Sequence, residues 1–435
     1  MSDRRKPPVR SRARLATRKP LRSTLERRGR ALLIVGGVLI IAAYALPRSE
    51  LLYAGGLLIG LPLVALIFVR FRRHRMAVAR RFSPAVAEAG GRVAVKVEVR
   101  NLAAQRTGEA TWRDEWPWFP FGTDAARLKP LARNKGTLGV ASAVTVDYVF
   151  DPPRRGVFDI GPLVVEVADP FQLARGEIVV GATQKLVVTP HVARLPFTGT
   201  SIAADDGSAR ARQRRNSVGG DDLMTREYRD GDPLRRVHWK ATARHGELMV
   251  RLEEQRSHAQ ARIILDTRRA GYRDAVPATD DQPESDSFEW AVAFTASLAF
   301  HLHETGFSVD VIETGFRQLT SPEHQEEFLE SLAAIELVDG AQLTRLPAGN
   351  ADPGHSLGSA FAIVADAESH TVARLKAQRA QFDSALAFIV NPHSETVIAP
   401  LREAGWACVA VRPTDDLAAV WLAAEEIREA SRARG

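Results

Sequence analysis

The chain has 435 residues, 45% of them apolar, and a formal net charge of +7. That length accommodates two or three domains with an ordinary globular core. Cys408 is the only cysteine, which excludes an intramolecular disulfide and a cysteine-ligated zinc site.

The positive charge is concentrated at the start. Residues 1–30 hold only Asp3 and Glu26 against a crowd of Arg and Lys, and read as a basic disordered tail. A tail that sets topology is favoured over an anionic-lipid clamp. Nucleic acid is disfavoured, because the tail lacks the interleaved aromatics of single-strand platforms. Next come "ALLIVGGVLIIAAYAL" (31–46) and "LLYAGGLLIGLPLVALIFV" (51–69), both without charge. A bilayer core takes about 20 helical residues, so residues 31–75 are expected to be a two-span transmembrane hairpin with a tight turn at "PRSE". A buried soluble hairpin and a signal peptide ending at "AYA" are the weaker readings. Arg and Lys flank both outer ends, whereas the turn holds Arg48 beside Glu50. The positive-inside rule then gives a multi-pass protein of the cell membrane with both termini cytoplasmic. Gly56 and Gly60 form a Gly-x-x-x-Gly that is expected to bring the two helices together.

Residues 76–200 are expected to form a β-sandwich. "RVAVKVEVRN" (92–101), "VTVDYVF" (144–150), "LVVEVAD" (163–169) and "KLVVTP" (185–190) alternate apolar and polar residues, punctuated by Gly and Pro. "DEWPWFPFG" (114–122) gathers Trp116, Trp118, Phe119 and Phe121. A cover for the open end of the sandwich is favoured over an exposed docking patch. Residues 201–222, polar and small, read as a flexible linker.

Residues 261–435 alternate strand and helix. Strands are expected at 261–267, 307–313, 361–366, 386–391 and 406–413. Helices are expected at 287–306, 321–337 capped by Ser321, 369–378, 396–405, and 414–430 capped by Thr414. The fold class is therefore α/β plus β, ending in a doubly wound parallel sheet. Ligands of such sheets bind beyond the carboxyl ends of the strands, where Asp266 and Asp366 stand. No Gly-rich phosphate loop, Gly-x-Ser-x-Gly elbow or His-Glu-x-x-His is present.

Between linker and sheet lies a dense motif, residues 223–260. Its fixed points are Arg226, Tyr228, Gly231, Asp232, Arg235, Trp239, Thr242, Ala243 and Arg244, followed by Leu248 and Val250. Together with "PPRRGVFDIGPLVVEVADPFQLAR" (152–175), this resembles the domain of unknown function 58 family from about Phe82 onward. The resemblance implies a membrane-anchored protein partnered by a MoxR-type AAA+ ATPase, and in some cases by a transglutaminase-like membrane protein. It also implies a C-terminal domain similar to a von Willebrand factor type A domain. Such domains hold a divalent metal in an Asp-x-Ser-x-Ser loop. Here the loop reads Asp266-Thr267-Arg268-Arg269-Ala270, with Arg268 and Ala270 in the two serine positions. Both hydroxyl ligands are gone, and Arg268 adds a cation. Two unit charges about 4 Å apart at an effective dielectric near 20 interact by about 4 kcal/mol. No metal and no cofactor are therefore expected.

Within the motif, His238 and Asp232 have no activated nucleophile beside them, so no catalytic residue is assigned. The acids Glu227, Asp230, Asp232 and Glu247 conflict with a phosphate grip. The favoured reading is an inter-domain clamp with Trp239 buried against the α/β domain, doubling as a docking surface. The expected function is a non-enzymatic membrane adaptor that docks the ATPase in assembly or maturation of an envelope complex. The alternatives are a cell-envelope enzyme using the α/β domain, and a nucleic-acid- or anionic-lipid-binding membrane protein.

Overall fold

The computed structural model describes residues 22–46, 48–72, 75–103, 105–108, 110–118, 126–132, 143–197, 225–228, 237, 239–251, 260–277, 284–339, 358–366, 369–393 and 395–432. It divides into two units, Met1–Pro190 with Ala278–Pro283, and His191–Pro277 with Glu284–Gly435.

Helices α1 (Arg27–Ala45) and α2 (Ser49–Phe71) are both long and apolar enough to cross a membrane. They pack as a hairpin, but not through the expected glycines. A Cβ at Gly56 or Gly60 would meet nothing within 4 Å. A Cβ at Gly36 would lie 2.9 Å from the Gly55 carbonyl oxygen, and one at Gly55 would lie 2.8 Å from that of Gly36. The reason is helical phase. Gly55, Pro62, Ala65 and Val69 are buried at spacings of seven, three and four, which makes one stripe, and Gly56 lies about 100° round from it. A second correction concerns the basic tail. Residues 22–25 form a strand, β1 (Arg22–Leu25), and α1 begins before residue 30.

The remaining strands of this unit are β2 (Met76–Ser83), β3 (Val86–Glu88), β4 (Val93–Asn101), β5 (Ala110–Asp114), β6 (Ala126–Leu128) and β7 (Ala143–Phe150). They continue with β8 (Gly156–Ile160), β9 (Leu163–Ala168), β10 (Ala174–Val180) and β11 (Gln184–Thr189). Three sheets result, in the orders β1-β10-β9-β5-β6, β3-β11-β8 and β2-β4-β7. All pairs are antiparallel except β3 with β11. The period-two pattern explains the core: Val93, Val95, Val97 and Val99 all point to one face of β4 and are fully buried. Residues from all three sheets share this core. Trp116 and Trp118 pack onto it, against Phe150 at 4.9 and 5.4 Å between ring centroids. Phe119 and Phe121 lie outside the described residues.

One charged pair is buried inside this unit. Arg80 donates Nε to Asp114 Oδ2 at 2.8 Å and Nη2 to Oδ1 at 2.6 Å, and the Tyr148 hydroxyl donates to Oδ2 at 2.6 Å. Burial, then the Asp114 charge, raise the Tyr148 pKa, so the phenol stays a donor.

In the second unit, β12 (Thr225–Glu227), α3 (Trp239–His245) and β13 (Met249–Arg251) precede the α/β sheet. The sheet is β14 (Gln260–Leu265), β15 (Ser308–Glu313), β16 (Ser359–Val364), β17 (Ser384–Val390) and β18 (Ala407–Val411). Its helices are α4 (Asp286–Glu304), α5 (Gln325–Ala334), α6 (Ser369–Gln378), α7 (Glu395–Glu403) and α8 (Leu417–Arg432). All sheet pairs are parallel, in the order β15-β14-β16-β17-β18. Alternate residues of β14, β16 and β17 feed two cores. Ile263, Phe361 and Phe388 join α4, α5 and α8, while Ile264, Ala362 and Ile389 join α6 and α7. A strand buried on both faces reads as a nearly continuous apolar run, as β16 does from Ala360 to Val364.

Two helix starts differ from expectation. α5 begins at Gln325, because residues after Ser321 form a turn in which His324 N–H donates to the Ser321 carbonyl at 3.2 Å. α8 is capped by Asp416, which accepts from the Ala419 N–H at 3.0 Å, and not by Thr414. Residues 191–197, assigned above to the β region, pack with the second unit. Leu195 is in its core, and Trp421 Nε1 donates to the Pro196 carbonyl at 3.3 Å.

Two outcomes follow. Gly55→Leu should cost about 1–3 kcal/mol through overpacking, whereas Gly56→Leu should be neutral, read from thermal melts in detergent. Asp114→Ala should cost roughly 3–5 kcal/mol, because it strands the buried Arg80 cation, read from denaturant unfolding of the detergent-solubilised chain.

Candidate functional site

In a doubly wound sheet the order reverses beside the first strand, and the crevice opens there at the carboxyl ends. Here that point lies between β14 and β16. Asp266 directly follows β14, Thr314 follows β15, and Asp366 stands two residues beyond β16. His370 and Thr371 open α6. Asp266, Thr267, Arg268, Thr314 and Thr371, all buried, gather here because the interior of the sheet has no place for them.

Asp266 is fully buried and accepts from the Thr314 hydroxyl and, at 3.3 Å, from the Arg268 N–H. The Arg268 guanidinium is only 4% exposed, and its Nε lies 3.8 Å from Asp266 Oδ1. Its Nη1 stands 2.5 Å from His370 Nε2, and its Nη2 donates to the Thr371 hydroxyl. Burial, and then the Arg268 charge, lower the Arg374 pKa on the same helix. Asp366 does not join this group; it pairs with Arg273. Ala270 sits in a short 3₁₀ turn, Arg269–Gly271. The pocket thus holds an internal cation against its buried carboxylate. Among the described residues, no group of three or more His, Cys, Asp or Glu could hold a metal ion. His370 and Thr371 are not among the acids that mark the strand ends; their signal is positional, as the first residues of the helix that follows β16.

The signature motif folds locally. Arg226 in β12 faces Val250 in β13, and Tyr228 N–H donates to the Leu248 carbonyl at 2.7 Å. Thr242 accepts from the Met249 N–H at 3.0 Å, so α3 and β13 are tied together. Gly231, Asp232 and Arg235 lie outside the described residues. Arg244 is exposed. Trp239 corrects the expectation of burial: it is 69% exposed. The apolar anchor nearby is Val237, at 8%. Trp239 opens a seven-residue helix, too short to bury two faces.

Residues 224–374 match the family described as a protein of unknown function, DUF58. That match supports the DUF58 resemblance over this region. The DUF58 region runs from the signature motif into α6, so it contains Trp239 as well as Asp266, Arg268, Thr314, His370 and Thr371. No curated protein matches the chain. Among solved structures, the chain is similar to the CARDB domain of a Pyrococcus furiosus protein in complex with di-metal ions. That match has 14% identity and a TM-score of 0.20, and covers 26% of this chain and 88% of that one. A family 2 carbohydrate esterase with a carbohydrate-binding domain, from Corynascus thermopiles, matches at 11% identity and a TM-score of 0.20, covering 82% of this chain and 99% of that one. Neither likeness bears on the fold or the function.

Arg268→Ala should destabilise the chain by roughly 3–5 kcal/mol in denaturant unfolding, since Asp266 then keeps a buried charge beside no cation. The paired change Asp266→Asn with Arg268→Met should recover much of that loss. A double variant as unstable as the single one would refute the pairing.

Proposed function

We propose that this chain is a membrane-anchored, non-enzymatic docking protein whose DUF58 region binds a MoxR-type AAA+ ATPase. The observation that carries the reading is Trp239, a large aromatic at the heart of the signature and 69% exposed. Aromatic side chains of this kind, surrounded by polar neighbours, are the residues on which protein interfaces concentrate their energy. Leu248, 40% exposed in the same motif, extends the apolar area. The switch-point crevice supports the same reading. Arg268 already neutralises Asp266, so partner contact through a metal bridge is not needed.

On this reading, α1 and α2 form a multi-pass anchor in the cell membrane with both termini cytoplasmic. Arg27, Arg28 and Arg30 at the start of α1, with Arg70 and Arg72 at the end of α2, outweigh Arg48 between them. The first unit acts as a β-sandwich spacer, and the second as a von Willebrand factor A-like domain with a degenerate metal loop. The ATPase would then work on an envelope complex held at the membrane.

Trp239→Ala is the decisive variant. Its melting temperature should match that of the parent chain, while its Kd for the purified ATPase should rise about 30-fold or more, the equivalent of at least 2 kcal/mol. A lowered melting temperature with unchanged Kd would make Trp239 structural and end the docking proposal.

A further inference from the structure

The loop between β9 and β10 is built with unusual economy. Asp169 is 3% exposed, and its carboxylate accepts three backbone N–H groups: Phe171 at 2.8 Å, Leu173 at 2.7 Å and Ala174 at 2.7 Å. The Gln172 N–H donates to the Asp169 carbonyl at 3.0 Å, closing a four-residue turn with Pro170 at its second position. Gln172 takes a φ of 56°, a left-handed conformation rare for a residue with a side chain. The turn is therefore preorganised, and it presents Phe171 at its tip, 66% exposed.

The foot of this loop is fastened to the helical hairpin. Leu173 and Ala174 form a small core with Ala65 and Val69 of α2. Leu173 also accepts from the Glu26 N–H at 2.8 Å, and a Cβ on Gly29 would collide with its carbonyl oxygen. Val69 is the last residue of the uncharged run 51–69, and Gly29 lies just before the uncharged run 31–46. The loop thus sits at the level where both helices change from charged to apolar. Arg27, Arg28, Arg30 and Arg70 are exposed at that level, and so is Phe71 at 70%.

We propose that the Asp169–Ala174 loop is a second membrane contact, with Phe171 inserted at the headgroup–acyl boundary of the bilayer that α1 and α2 cross. Aromatic side chains favour that boundary, and the neighbouring arginines reach the phosphates above it. This rests on the anchor reading above, but not on the ATPase. The contact restrains the tilt of the β unit against the membrane.

The test uses the full chain with Cys408→Ala and Phe171→Cys, carrying a nitroxide label. The label is compared with one at Val149→Cys, a position 54% exposed. Val149 faces Ala94, which faces Ser83 at the end of β2 far from α2. A strand of that length places the reference about 20 Å from the hairpin. The proteins are reconstituted in phosphatidylcholine vesicles with and without phosphatidylglycerol, and collision with oxygen and with a water-soluble nickel chelate is measured. The label at 171 should favour oxygen, with nickel accessibility several-fold below that at 149 in both lipid mixtures. Equal nickel accessibility at the two positions would overturn the proposal. Low accessibility to both relaxants would indicate protein contact and overturn it too. Co-flotation with the vesicles reads the anchor separately: a chain that does not float loses both readings, and one that floats with position 171 in water loses only this one.

Discussion

Burying a parallel sheet on both faces is the constraint from which the second unit follows. β16 and β17 have apolar cores above and below them, so past the serine that opens each strand every side chain is apolar. Polar groups are driven to the strand ends, and the reversal of strand order opens a crevice at one of those ends. Asp266 arrives there because the chain leaves β14 at that residue. It is fully buried, and a buried carboxylate needs hydrogen bonds and a counter-charge. Thr314 and Arg268 supply them.

That arrangement changes what the crevice is for. Two positions after Asp266 stands a guanidinium that reaches His370 and Thr371 on α6. The pair links β14 to α6, so the crevice serves as a fastening within the DUF58 region. In the signature motif, a short helix leaves Trp239 in the open.

The first unit uses the same economy differently. A fully buried ion pair, Arg80 with Asp114, is bidentate and further satisfied by Tyr148, so the charge costs little while all three members remain. At its helical end, small residues do the fastening. Gly36 and Gly55 let α1 and α2 touch backbone to backbone, and Gly29 lets α1 touch the Asp169 loop.

Periodicity alone determined most of the architecture. Uncharged runs specified the two helices, alternation specified β4, β7, β9 and β11, and the strand–helix rhythm specified a parallel sheet with Asp266 and Asp366 at strand ends. These are local properties, because side-chain direction repeats every 2 or 3.6 residues whatever the surroundings. The match to DUF58 was legible for a similar reason: the signature is compact and continuous in sequence. Only the tertiary structure decided which glycines meet between the helices, since one step along a helix turns a residue by about 100°. It alone joined residues 22–25 to β10, a pairing across about 150 residues. It alone sent Arg268 to His370 rather than to solvent, left Asp366 to Arg273, and kept Trp239 exposed. Each of these depends on which surfaces meet after the chain has folded back on itself, and pattern along the chain carries no record of that.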